Sequence, residues 1–146
     1  MKRLAKAMLL MVCLTLVGCG LASLDRSNIN GMWNATLIDT NDTTMFSFGT
    51  SLVVNNDGSL SITNFNLTTN SPCFVSSETE SGSFTLSGDF SGNVNGKFGF
   101  VVQSSSPIGN TLTLSGTASG NTISGNWTLT GGTGCAGSGS FTMIKT

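Results

Sequence analysis

Apolar and polar residues alternate along most of the chain after residue 30, which is the pattern of β-strands that bury one face. The period is two almost everywhere, not the 3.6 residues of a helix. The alternation changes phase after Ile62, and a β-bulge near Thr63 and Asn64 accounts for the change. The apolar sets of the eight predicted strands are Trp33, Ala35 and Leu37; Phe46, Phe48, Leu52 and Val54; Leu60, Ile62, Phe65 and Leu67; Phe84 and Leu86; Val94, Phe98, Phe100 and Val102; Leu112, Leu114 and Ala118; Ile123, Trp127 and Leu129; and Phe141 and Met143.

Turn-forming residues fall between the predicted strands. Residues 55–58, 91–93 and 119–121 each contain Asn and Gly, which tolerate the positive φ of tight hairpins. The remaining connections are predicted to be longer. They comprise residues 39–44, 68–77, 103–110 and 131–137.

We predict an all-β domain over residues 30–146, folded as a small eight-stranded antiparallel up-and-down meander barrel. Closure covers the apolar face and removes exposed strand edges. Residues 86–100 and 114–129 repeat one unit, a hairpin with Gly followed by a large aromatic residue. A two-sheet β-sandwich is the alternative. Two short stretches, Gly31-Met-Trp33 and Gly125-Asn-Trp127, resemble motifs of avidin- and lipocalin-type barrels.

The chain begins with a short basic and apolar segment. Lys2, Arg3 and Lys6 precede an apolar run over residues 7–17, and a membrane span would need roughly twenty residues. The segment is therefore predicted to be a signal peptide. Its last residues, Leu16-Val17-Gly18-Cys19, resemble the lipobox of bacterial lipoproteins, which has an aliphatic residue at −3, a small residue at −1 and a cysteine.

The lipobox resemblance implies cleavage before Cys19 and attachment of acyl chains to that residue. Residues 1–18 are then the signal peptide, and residues 19–29 are a short tether. The resemblance also implies export and a lipid anchor in the cell envelope, and Gly20 in place of Asp favours the outer membrane of a Gram-negative cell. An ordinary cleaved signal with a buried Cys19 is the alternative. The mature chain also resembles small Gly-, Ser-, Thr- and Asn-rich bacterial lipoproteins, a resemblance that supplies no functional residues.

Charge and composition exclude several function classes. The formal net charge is −1, and removal of Lys2, Arg3 and Lys6 leaves three basic and seven acidic residues, a net charge of −4. The remaining basic residues are scattered, so neither a nucleic-acid partner nor a polybasic membrane patch is expected. The chain contains no His, which excludes Ser-His-Asp and Cys-His catalysis.

The two cysteines of the predicted barrel, Cys73 and Cys135, are expected to form a disulfide in an oxidising compartment. In an eight-stranded meander Cys73 falls in the third connection and Cys135 in the seventh, and both connections lie at the same end. Two free thiols are the alternative, and neither cysteine has a basic neighbour that would lower its pKa.

Other polar clusters are predicted to be structural. Glu78 and Glu80 lie on one face of one strand, so they do not flank a bond from two sides as glycosidase carboxylates do, and we expect both to be solvated. Asp39, Asn41 and Asp42 offer oxygen ligands for calcium, but the segment lacks the glycine and the distal glutamate of a calcium loop. No metal, other cofactor or catalytic residue is predicted.

Two functions remain open. We expect a non-enzymatic, membrane-anchored cell-envelope module, structural or interacting with a protein or glycan; a lipocalin-like barrel for a small apolar ligand is the alternative. Large aromatic residues that face inward favour a filled interior, although Trp33, Phe98 and Trp127 could instead line a cavity. If the interior is filled, we expect any pocket to be shallow and to lie at a barrel mouth. Five glycines alternate in phase with the inward-facing apolar residues, and they indicate either free space in the interior or tight bends of the strands. They are Gly82, Gly88, Gly96, Gly116 and Gly125.

Overall fold

The computed structural model describes residues 26–88 and 94–146 and confirms the all-β prediction with eight strands. Within these ranges no helix has the length and apolar character needed to cross a bilayer. The predicted signal peptide, Cys19 and the 91–93 turn lie outside the described residues. The elements are an N-terminal 3₁₀ turn (Arg26–Ile29), β1 (Gly31–Asp39), β2 (Thr44–Val54), β3 (Leu60–Thr69), β4 (Ser76–Gly88), β5 (Val94–Ser106), β6 (Ile108–Ser119), β7 (Thr122–Thr130) and β8 (Gly137–Lys145).

All eight strands belong to one antiparallel sheet with the order β3-β2-β1-β8-β7-β6-β5-β4. Because β1 pairs with β8, the sheet curls until β3 and β4 meet, and it forms a nearly closed meander barrel. At this β3–β4 seam the amide of Phe84 donates to the carbonyl of Gly58 at 2.8 Å, and Ser59 bridges Ser83. Farther along, the rings of Phe65 in β3 and Phe100 in β5 lie 6.0 Å apart across the seam. The meander barrel is thus the observed architecture, not the alternative sandwich.

The phase change in β3 is a β-bulge, as predicted. Gly49 pairs with Asn66 and Ser51 with Thr63, so Thr50 alone lies opposite two residues of β3. Asn64, one of these two, has a φ of 54°, in the left-handed region that Asn tolerates better than most residues. The extra residue keeps both halves of β3 facing the core.

The connection between β5 and β6 is much shorter than the predicted one over residues 103–110, so this prediction is wrong. β5 continues to Ser106 and β6 begins at Ile108, so Pro107 alone separates the two strands. Gln103 pairs with Thr111, and the ladder continues through a register shift. The sequence pattern did not reveal these strand ends because their side chains are polar. Backbone pairing near the end of a barrel does not require an apolar side chain.

The interior is filled by alternate side chains of the strands. Both tryptophans are almost fully buried, and aromatic rings contact one another along the barrel axis. Three glycines at inward-facing positions, Gly82, Gly96 and Gly116, are covered by large side chains of other residues. A Cβ at these positions would collide with Leu60, Phe84 and Phe141 respectively. The largest fully buried side chains are Trp33, Trp127, Phe46, Phe84, Phe100, Phe141, Ile29, Leu37, Leu52, Leu112, Leu114 and Ile123.

The N-terminal turn is packed against one end of the barrel. Ile29 is fully buried, and its carbonyl accepts a hydrogen bond from Nε1 of Trp33 at 2.7 Å. Nζ of Lys145 donates to the carbonyl of Asn28 at 2.8 Å, which ties the turn to β8. Oδ1 of Asn30 accepts from the amide of Val54 at 2.8 Å and ties the turn to β2. The last residues of the segment predicted to be the tether, from Arg26 onward, are therefore part of the folded domain.

Candidate functional site

The two ends of the barrel differ in construction. The N-terminal end contains the N-terminal turn, the 55–59 and 120–121 turns and Thr146, whereas the disulfide end contains the connections 40–43, 70–75, 107 and 131–136. The disulfide end takes its name from Cys73 and Cys135, which are bonded there with Cα atoms 5.6 Å apart. The pairing agrees with the prediction that both cysteines lie at one end of the meander.

Asn110 holds the two cysteine-containing connections together. Its side chain is 2% exposed, and Nδ2 donates to the carbonyl of Cys73 at 2.9 Å while Oδ1 accepts from the amide of Gly132 at 3.0 Å. Phe74 closes the interior beneath them, with its ring 6.0 Å from that of Phe46 and nearly perpendicular to it. The disulfide and the two hydrogen bonds of Asn110 therefore cross-link the connections that cover this end of the barrel.

The candidate calcium segment is a self-closed loop. Oδ1 of Asp39 accepts hydrogen bonds from the amides of Asn41 and Thr43 at 2.8 and 2.9 Å. These bonds, with that from Thr43 as the stronger influence, hold the pKa of Asp39 below its ordinary value. Asp42 has a φ of 60°, as the tight turn requires. The Asp39 carboxylate thus closes the β1–β2 connection.

Glu78 and Glu80 lie on the inward side of β4, on the same face as Phe84, and both are half-buried, which differs from the solvated position expected. Partial burial raises the pKa of Glu80, and the neighbouring charge of Glu78 adds to this rise. Glu78 pairs across the strands with Ser104, whose buried hydroxyl has no hydrogen-bond partner among the described residues. The two carboxylates come from one strand, so they do not face each other across a bound substrate.

The three aromatic residues considered as possible cavity linings are part of the packed core. Nε1 of Trp127 donates to the carbonyl of Ile38 at 2.8 Å, and its ring meets Phe46 edge-on at 5.5 Å. The ring of Phe98 lies 6.1 Å from Phe100 and 6.4 Å from Phe141. Phe98 in β5 reaches Phe141 in β8 because the intervening strands place Gly116 and Gly125 opposite each other between the two rings.

Four described grooves open on the outside of the barrel, with volumes of about 450, 400, 430 and 590 Å³. The largest runs over the Gly116–Gly125 pair and is lined on the outside by Lys97, Thr117 and Asn126. The groove of about 450 Å³ reaches the β1–β2 connection at the disulfide end through Thr40 and Asp42, in agreement with a pocket at a barrel mouth. The prediction that any pocket would lie at a barrel mouth is wrong for the other three grooves, which lie on the wall between outward-facing small residues. Ser, Thr, Asn and Gly are the commonest lining residues, and of the four grooves the one beside Asn34, Ser47 and Asn66 exposes more polar than apolar surface.

Sequence reasoning missed three exposed apolar side chains at the N-terminal end. Met32, Val53 and Ile144 are 60%, 49% and 48% exposed, and they form what we call the wall patch. Met32 lies opposite Ser51 of β2, and Asn34 lies opposite Ile144 of β8, so Val53 and Ile144 are diagonal neighbours of Met32 on its two sides. Such neighbours are about 7–8 Å apart, within reach of a long side chain. The sequence does contain a signal for this patch: each of the three residues is apolar although it stands at a position where the alternation predicts a polar, outward-facing side chain.

A metal centre is not apparent in the described part of the chain, where no three side chains of Cys, Asp or Glu lie together. No protein-family model, curated protein or solved structure matches the chain.

Proposed function

We propose that the protein is a non-enzymatic cell-envelope module, exported and anchored to a membrane by lipid on Cys19. The lipobox-like sequence Leu16-Val17-Gly18-Cys19 is the observation that carries the anchor. The first described element begins at Arg26, which leaves residues 19–25 as the tether between the lipid and the folded domain. Two or three acyl chains hold a protein stably on a bilayer, since each buried methylene contributes about 0.8 kcal/mol.

The filled interior supports a role in structure or in contacts with other envelope molecules. The rings of Phe48, Phe65 and Phe100 pack with centroids 5.2–6.0 Å apart in the region where a lipocalin-like barrel would hold its ligand. The described grooves open outside the barrel instead, and the one beside Asn34, Ser47 and Asn66 has a mainly polar lining. A protein or glycan that hydrogen-bonds to Ser, Thr and Asn is the class of partner that such a lining favours.

The anchor is tested by the substitution Cys19→Ser in the full-length chain. We expect the wild-type protein to sediment with membranes and to show the mass of a chain that starts at Cys19 plus acyl groups. The Cys19→Ser variant should remain as uncleaved precursor or leave the membrane, and Cys13→Ser, inside the signal peptide, is the matched control. Processing and membrane attachment of Cys19→Ser at the wild-type level would refute the anchor.

Mass spectrometry of the protein purified from its native membrane, under conditions that preserve noncovalent complexes, tests the ligand-free interior. We expect the mass of the lipidated chain alone. A stoichiometric apolar molecule that stays with the barrel after delipidation would support the lipocalin-like alternative over the proposed module.

A further inference from the structure

We propose, on the basis of the lipid anchor proposed above, that the wall patch rests on the bilayer that holds Cys19. The patch then contacts the layer of the bilayer where the lipid headgroups meet the acyl chains. Val53 and Ile144 are each offset from Met32 by two residues along the strands, on neighbouring strands and the same outer face, so all three can contact one surface together. Exposed apolar side chains grouped in this way mark a contact surface.

The N-terminal turn determines where the tether leaves the barrel. Lys145 holds the carbonyl of Asn28, and Asn30 holds the amide of Val54, so the turn is clamped between the ends of β8 and β2. Ile144 and Val53 are the residues that immediately precede these two anchoring positions in the chain. The tether therefore begins beside the wall patch.

The tether is too short to hold the barrel far from the membrane. Cys19 and Arg26 are seven residues apart in the sequence, and seven residues span at most about 25 Å when fully extended. The N-terminal end, and with it the wall patch, is thus kept near the acyl chains on Cys19. The disulfide end, at the opposite end of the strands, points away from the lipid.

The distribution of charge favours the same orientation. Of the charged side chains from residue 28 onward that the structure describes, four carboxylates lie toward the disulfide end: Asp39, Asp42, Glu78 and Glu80. Lys97, Lys145 and Asp57 lie in the N-terminal half, so the charges of these seven described residues sum to −4 toward the disulfide end and +1 toward the N-terminal end. An anionic bilayer therefore repels the disulfide end more strongly than the N-terminal end.

Photocross-linking of the full-length lipidated protein in vesicles of phosphatidylethanolamine and phosphatidylglycerol tests the orientation. A benzophenone amino acid replaces Met32, Val53 or Ile144, one at a time. Val75 and Ile108, which are 68% and 89% exposed near the disulfide end, are the matched control positions. We expect phospholipid adducts at the wall-patch positions in at least about tenfold higher yield than at the controls, since only the patch reaches the interfacial layer.

The outcomes separate the orientation from the anchor. Flotation of the protein with the vesicles, combined with equal adduct yields at Val53 and Val75, would overturn the orientation and leave the anchor intact. Cross-linking of all three patch positions to a second copy of the chain, without lipid adducts, would also overturn it. Failure of the protein to float with the vesicles would refute the anchor and the orientation together. Three independent patch positions keep the test valid if one variant misfolds.

Discussion

Gly96 shows how single residues shape the interior of this barrel. Its missing side chain leaves room for the ring of Phe84, which lies over the backbone where a Cβ would otherwise stand. The alternation in the sequence placed Gly96 on the inward face but left open whether it made space or a bend. That choice depends on which ring of another strand reaches over the glycine, and such long-range packing is not encoded in local alternation.

The substitution Gly96→Ala is expected to destabilise the fold by about 1–3 kcal/mol, the usual cost of overpacking a filled core. The added Cβ would overlap the Phe84 ring, so the ring or β5 must shift. Urea unfolding followed by tryptophan fluorescence measures the change. Gly132→Ala is the control, since a Cβ there meets nothing within 4 Å, and its effect should stay within about 0.5 kcal/mol. Equal midpoints for both variants would contradict the proposed overlap with Phe84.

At the scale of the strands, alternation predicted the number, order and inward faces of the elements well. It also located the β3 bulge, because one extra residue in a strand reverses the phase of the alternation beyond it. The ends of β5 and β6 were missed because Ser104, Ser105 and Ser106 carry no apolar signal although β5 is paired there. The wall patch was missed for the opposite reason: Val53 lies between buried and half-buried neighbours in an apolar run, which hid its outward face.

The bulge in β3 is expected to tolerate Gly at position 64 and to resist a β-branched residue. Asn64 has a φ of 54°, which Gly adopts without strain and Val adopts only at a cost of about 1–2 kcal/mol. Asn64→Gly should therefore unfold within about 0.5 kcal/mol of wild type, and Asn64→Val should be clearly less stable. Unfolding midpoints in urea decide the matter, and a Val variant as stable as the Gly variant would count against the assigned bulge.

The disulfide joins the third and seventh connections of the meander, so its removal loosens two elements at once. The closed loop spans 62 residues, and in the chain-entropy model such a cross-link stabilises the fold by about 4 kcal/mol. The double variant Cys73→Ala/Cys135→Ala should lose roughly this amount in denaturant unfolding. Wild-type protein unfolded under reducing conditions is the matched comparison and should behave similarly. No change in stability on reduction would contradict the bond.

Over the whole molecule, two carboxyls near the disulfide end should shift stability in opposite directions with pH. The pKa of Glu80 is raised in the fold by burial, so its ionisation destabilises the folded state as pH rises through its ordinary value of 4.5. The pKa of Asp39 is lowered by hydrogen bonds from Thr43 and Asn41, so its stabilising effect is present above its ordinary value of 3.8 and is lost as pH falls through the lower folded value.

Compared with wild type, Glu80→Gln should be more stable and Asp39→Asn less stable at about pH 7, which is well above the ordinary pKa values of both carboxyls. The stability difference between Glu80→Gln and wild type should vanish at about pH 3, and that between Asp39→Asn and wild type should shrink there. Protonation of a carboxylate removes the same negative charge that the substitution removes. Thermal unfolding at the two pH values provides the measurement. A Glu80→Gln variant less stable than wild type at neutral pH would show that the burial effect has the wrong sign.

The filled interior leads to the last prediction, which concerns the barrel as a container. Phe98 is 2% exposed and lies between Phe100 and Phe141, so Phe98→Ala should create an apolar cavity and cost about 3–5 kcal/mol. Dry apolar cavities of this kind bind benzene. Benzene should therefore raise the melting temperature of Phe98→Ala and leave wild type unchanged, since a ligand stabilises only a protein that has room for it. Phe98→Leu is the milder variant if the alanine variant does not fold. Equal stabilisation of wild type and variant by benzene would show that the native barrel already holds an open cavity, and the lipocalin-like alternative would then replace the packed module.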